Sequence, residues 1–275
     1  MTLDGPFGLA RLLKKASLAG AFFVPAIWLS NALAGPLCPA PGGLSYARVQ
    51  QVVDGDTLRL KDGRSVRMIG LNAPETGKKG QSAEPFADAA RKRLQNLVAQ
   101  SGGRVGLLAG KQPQDRYGRT LAHVFGVDGS NLEAKVLADG LAYQVAIAPN
   151  VELLDCQQAA ERTARAARLG LWRQSPVLAP QQISRSGFAV VGGTVSKVQR
   201  NRGGLWIDLQ GGVVLHIAAG QLKHFDQQDL ARLQGSKLEA RGWVLDRSRR
   251  GGLKPGQARW MLSLTHPGMI NVGAK

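Results

Sequence analysis

Thr57-Leu58-Arg59-Leu60-Lys61-Asp62-Gly63-Arg64-Ser65-Val66-Arg67-Met68-Ile69-Gly70-Leu71 decides the fold of the first half of this 275-residue chain. Apolar side chains alternate on both sides of Asp62-Gly63, a dipeptide suited to the positive φ of a tight hairpin. Two antiparallel strands follow from that pattern. Upstream, Arg48 to Val53 alternates in the same way and reaches a further turn at Asp54-Gly55. Downstream, Phe86, Ala90, Leu94, Leu97 and Val98 recur at helical spacing, predicting a helix over Glu84 to Gln100 that stops at Gly102-Gly103. Strands are expected at 104–108 and 119–127. Ser130 with Glu133 reads as a capping box for a second helix, and a third spans Glu152 to Arg168. Five short strands with helices after the third and fifth point to a small closed barrel of the oligonucleotide-binding (OB) type.

Residues 174–186 (containing Pro176, Pro180 and three Gln) read as a linker, and 187–275 repeats the grammar of the first half. Strand patterns at Ala189–Val198, Leu205–Leu209 and Val213–Ile217 precede a helix near Gln227–Leu233, with strands at Lys237–Val244 and Arg259–Leu264 after it. The expected class is therefore mainly β with helices: one OB barrel in 43–173 and a second, smaller OB-like barrel in 187–275. Within the second, Asp246 to Lys254 forms a basic hairpin. Trp206, Trp243 and Trp260 lie in or near its strands, where tryptophans either fill a core or stack on bases.

Lys plus Arg number 36 against 19 Asp plus Glu, a formal net charge of +17 with a pI of about 10.6. Such an excess suits polyanions such as nucleic acid, anionic lipid or acidic glycans. Residues 1–34 have the layout of a secretory signal peptide: Arg11, Lys14 and Lys15, an apolar run from Leu18 to Leu29, then Ala32-Leu33-Ala34. Its removal takes three basic residues and one acid, leaving +15, so the basic character belongs to the mature protein. Export to the periplasm or the extracellular space is expected, with no stable membrane span after cleavage. In an oxidising compartment Cys38 and Cys156 invite one disulfide, the alternative being two free thiols. Two cysteines alone make a poor metal site, and the four histidines show no paired ligand spacing.

The polar residues concentrate in three places. Asp54-Gly55-Asp56-Thr57 carries two carboxylates; Arg67 opens the run to Asn72-Ala73-Pro74-Glu75; Asp115-Arg116-Tyr117-Gly118-Arg119 adds two guanidinium groups. A phosphodiester undergoing substitution gathers negative charge on its equatorial oxygens, and planar guanidinium groups match that geometry bidentately.

These motifs, with Gly140-Leu141-Ala142 and Gly170-Leu171-Trp172, closely resemble the signatures of the thermonuclease (staphylococcal nuclease-like) family over about residues 45–173. The resemblance implies a calcium-dependent nuclease acting on DNA and RNA. It makes Asp56 a metal ligand, joined by Asn72 and by the backbone carbonyl of Ala73. Glu75 becomes the residue that orients or deprotonates the attacking water, Arg67 and Arg119 stabilise the transition state, and Tyr117 touches substrate phosphate. The family usually has Asp where Asn72 stands and Thr at Ala73, so one negative charge at the Ca²⁺ site is lost. The competing reading is a catalytically weak or inactive nucleic-acid- or envelope-binding module on the same fold.

Overall fold

The computed structural model describes residues 38–77, 80, 82–251 and 253–273. The expected signal peptide and Lys78-Lys79 lie outside the described residues. Among those described, no helix is long and apolar enough to cross a membrane.

The hairpin at Asp62-Gly63 forms as its sequence requires: β2 (Thr57–Leu60) and β3 (Ser65–Met68) pair antiparallel, and β1 (Ser45–Asp54) pairs with β2. A short β4 (Leu71–Asn72) leads to helix α1 (Ala87–Gln100), after which β5 (Arg104–Gln114) and β6 (Thr120–Phe125) close a barrel of order β1-β2-β3-β6-β5. Helix α2 (Leu132–Ala138), β7 (Tyr143–Gln144) and helix α3 (Leu154–Ala166) complete this half. Leu58, Leu60, Val66, Leu94, Val105 and Val124 are fully buried in one core, each such side chain contributing roughly 1.5–3 kcal/mol. Cys38 and Cys156 form a disulfide that ties the lead-in segment to α3.

Two local expectations are corrected. Helix α1 starts at Ala87 rather than Glu84, because Phe86 takes up a left-handed conformation (φ 68°) that no helix can include. The Ser130–Glu133 capping box does not form. Asn131 caps α2 by accepting from the Ala134 amide at 2.8 Å, while the buried Glu133 carboxyl accepts from the Val124 amide and the Asn131 side chain. A tertiary partner thus outcompetes the local cap.

The second half repeats the barrel. Strands β9 (Gly187–Asn201), β10 (Gly204–Leu209), β11 (Val213–Ala218), β12 (Lys237–Asp246) and β13 (Trp260–Leu264) close in the order β9-β10-β11-β13-β12, with helix α4 (Gln227–Ala231) between β11 and β12. Two edge pieces, β8 (Val177–Leu178) and β14 (Ile270–Val272), attach to β9 and β12. The stretch between the barrels is therefore anchored: β8 runs parallel to β9, and Pro180 and Ile183 are buried. The basic loop after β12 contains a 3-10 turn, Arg247–Arg250, capped by Asp246.

The barrels share a buried ionic seam. Arg241 on β12 donates to both Glu161 oxygens on α3 (2.7 and 2.6 Å) and to Glu239 at 2.9 Å, and Glu239 also receives Arg165. Thr265 bonds the Ala146 carbonyl, and Ala146 itself sits in the second core.

Candidate active site

The tight turn between β1 and β2 places Asp56 inside the barrel mouth. Gly55 is required there, because a Cβ would lie 2.6 Å from both Ala73 and Ala90. Asp54 accepts from the Asp56 amide at 3.2 Å and fixes the turn. The Asp56 carboxylate is fully buried and accepts from the Thr57 hydroxyl and the Ala73 amide, both at 2.9 Å, while pairing with Arg67. Burial pushes its pKa up to about 7; the Arg67 charge opposes that rise and the Asp54 carboxylate adds to it.

Arg67 faces Thr57 across the β2–β3 hairpin. Its second guanidinium nitrogen donates to the Asn72 side-chain oxygen at 2.9 Å and to the Leu71 carbonyl at 3.3 Å. The chain between them turns at Gly70 (φ 89°), where Gln157 presses close and bonds the Ile69 carbonyl. Asp56, Arg67, Asn72 and Ala73 are thus joined by direct contacts. Glu75 follows on the exposed lip beyond Pro74, with its backbone clamped to Glu84 in both directions at 3.0 Å.

The Asp115–Arg119 motif is the turn between β5 and β6. Asp115 organises it, accepting from the amides of Tyr117 and Arg119 and from the Arg119 guanidinium at 2.7 Å. Partial burial works against ionisation of Asp115, but the Arg119 and backbone bonds still hold it below the ordinary carboxylate range. Tyr117 is largely exposed, its ring beneath Arg116 and Arg119. Strand β6 runs parallel to β3 with Leu121 beside Arg67. Arg119 immediately precedes that strand, at the end of the Asp115 turn and two residues before Leu121. Among the described residues no hydrogen bond or ion pair joins Glu75 or Arg119 to Arg67; Glu75 follows Asn72 by three residues, and Arg119 leads into the strand beside Arg67.

The model of the staphylococcal nuclease homologue family matches residues 65–174, the span that holds Arg67, Glu75 and Arg119. A thermonuclease of Staphylococcus intermedius is 35% identical over 139 residues, covering 48% of this chain and 78% of that protein. A thermonuclease of Staphylococcus hyicus is 33% identical over 142 residues, covering 47% and 80%. The chain belongs to this nuclease family. Its class of reaction is accordingly the hydrolysis of nucleic-acid phosphodiesters. Endonuclease YncB of Bacillus subtilis (strain 168) is 32% identical over 134 residues, which span 46% of this chain and 61% of that protein. These matches cover about half of the chain, and the family model ends before the second barrel.

Hard oxygen donors gather around Asp56: its own carboxylate, the neighbouring Asp54 carboxylate and, through the shared Arg67, the Asn72 amide oxygen. A carboxylate whose pKa is raised by burial, with a second carboxylate adding to the rise, is the kind of position that a hard cation relieves, so the donor chemistry fits calcium. The set is lean, since among the described residues no three His, Cys, Asp or Glu side chains converge. Sequence reasoning missed Asp115 as the anchor of Arg119 and missed Tyr143, which lies beside Asn72 in the β4–β7 pair. Nothing local in either motif signals those contacts.

Proposed function

We propose that this chain is an exported, calcium-dependent nuclease that hydrolyses phosphodiester bonds of both DNA and RNA. The nuclease domain is read as 43–173, with 187–275 an accessory barrel joined through 174–186. The observation that carries this reading is the placement of Arg67 against Asp56 and Asn72 at one barrel mouth. Arg119 stands at the end of the Asp115 turn that leads into β6, the strand beside β3, and Glu75 lies three residues beyond Asn72.

Arg67 and Arg119 act on the phosphate. Each offers a planar fork of donors toward the equatorial oxygens, where charge builds as the fifth bond forms. In the structure both forks rest on carboxylates, Arg67 on Asp56 and Arg119 on Asp115, which orients them before substrate arrives. Glu75, exposed at the lip, takes the proton from the attacking water, and Tyr117 lies on the approach of the phosphate beside Arg119. A calcium ion held by Asp56, Asn72 and the Ala73 carbonyl would neutralise further charge on the phosphate. Export is supported by the Cys38–Cys156 bridge, a feature of oxidising compartments.

The test is cleavage of single-stranded DNA and of RNA by the purified protein, with calcium, with chelator, and for Glu75→Gln. Cutting that needs calcium and disappears in Glu75→Gln is expected. Salt-sensitive DNA binding with no cutting under any divalent metal would overturn the reading in favour of a binding module.

A further inference from the structure

A groove of about 520 Å³ runs between the two barrels, and its lining includes Asn72 of the proposed metal-binding set and Pro74 beside Glu75. Its size is that of a ligand cleft. From Asn72 an aromatic series leads across to the second barrel. Tyr143 pairs with Asn72 in register; Phe188 lies 5.1 Å from the Tyr143 ring; Trp243, opposite Phe188 on β12, lies 5.4 Å further on with 38% of its surface exposed. On the near wall Phe86 also faces solvent, held in a left-handed conformation that a bulky residue adopts only under constraint. Two arginines, Arg173 and Arg185, line the groove, are exposed, and have no ion-pair partner among the described residues. The one acid there, Glu84, is already engaged with the Glu75 amide.

Resting on the nuclease reading above, we propose that this groove is a second substrate subsite. It takes the single-stranded nucleotides that flank the scissile phosphate on one side. Bases stack on the Phe188–Trp243 surface and on Phe86, while Arg173 and Arg185 hold the phosphates between them. Aromatic platforms interleaved with unpaired cations bind single strands without regard to sequence. Three features favour a nucleic acid strand as the occupant: continuity with the catalytic site, unpaired positive charge, and an aromatic run reaching past the groove. The buried Arg241–Glu161 pair fixes the two walls, and Glu161 also receives the amide of Gln144, next to Tyr143.

The variants are Arg173→Ala/Arg185→Ala and Trp243→Ala, all at exposed positions outside the proposed catalytic set. Each is assayed on a 16-nucleotide oligothymidine and on a p-nitrophenyl ester of a thymidine nucleotide, which is too short to enter the groove. Affinity for the fluorescent oligonucleotide is measured in a Glu75→Gln background. KM for the oligonucleotide and its Kd should both rise about tenfold or more, with the short ester unaffected. In the double arginine variant the slope of log K against log salt should flatten by about 1.4. Unchanged oligonucleotide binding, or equal losses on both substrates, would overturn the subsite and leave the groove to a peptide occupant. If Glu75→Gln still cut the oligonucleotide, the catalytic assignment would fall instead, and the binding arm would still decide the groove.

Discussion

The two barrels share a strand order, yet corresponding strands carry opposite chemistry. In the first, the pair across strands two and three is Thr57 facing Arg67, and Asp56 just before it supplies a buried carboxylate. In the second, the pair is Trp206 facing His216, stacked at 4.0 Å with Arg247 above the indole. The turn between strands one and two is Asp54-Gly55-Asp56 in one barrel. In the other it is Asn201-Arg202-Gly203, where the Asn201 oxygen serves only a backbone amide and the Trp206 indole. A closed five-stranded barrel thus specifies no reaction; the polar groups grafted at its mouth do. Stabilisation differs as well. The first barrel is cross-linked by Cys38–Cys156, whereas the second is fastened to it by the Arg241 seam.

The largest effect that would break this comparison lies in the seam. Arg241→Ala leaves Glu161 buried without its cation and should cost about 3–5 kcal/mol in denaturant unfolding. The double change Arg241→Met with Glu161→Gln should cost clearly less, and an equal cost would show that the charges contribute little. Next comes the catalytic mouth. Arg119→Ala is expected to lower kcat by about 10²–10³, by analogy with lost oxyanion donors. Its half-exposed pair with Asp115 contributes only about 0.2–1 kcal/mol to folding, so the melting temperature should barely move.

A third test concerns acid. Burial lowers the His123 pKa to about 4, opposed by Glu152 nearby; Glu133 lies on the other side of the ring. The unfolded chain takes up a proton near pH 6.5 and the folded one does not. Stability is therefore lost as pH falls from 6.5 toward 4, by about 3 kcal/mol from this group. Glu133, raised well above its ordinary value by burial, tilts the profile the other way, so the decisive quantity is the difference between the parent and His123→Gln. Urea unfolding at several pH values should show the variant losing less across that window. The smallest effect belongs to the second barrel: Arg247→Ala should cost about 0.5–1 kcal/mol and leave cutting rates unchanged. A loss of activity there would move Trp206 into the substrate path.

The succession of main strands and helices, both barrels and the three polar motifs were readable from the sequence, because side-chain alternation, Asp-Gly turns and helical spacing are local signals. The start of α1 and the cap of α2 were not. Phe86 leaves the helix at a backbone conformation its neighbours do not announce, and Glu133 is drawn away from a local cap by the Val124 amide. The sequence by itself determined which groups are available for chemistry: Asp56, Arg67, Glu75 and Arg119. Only the tertiary structure decided that Asp115 holds Arg119, that burial raises the Asp56 pKa to about 7 despite its pairing with Arg67, and that the two barrels enclose a groove lined in part by Asn72. Those facts depend on burial and on contacts between residues far apart in the chain, and neither is encoded in any short stretch of it.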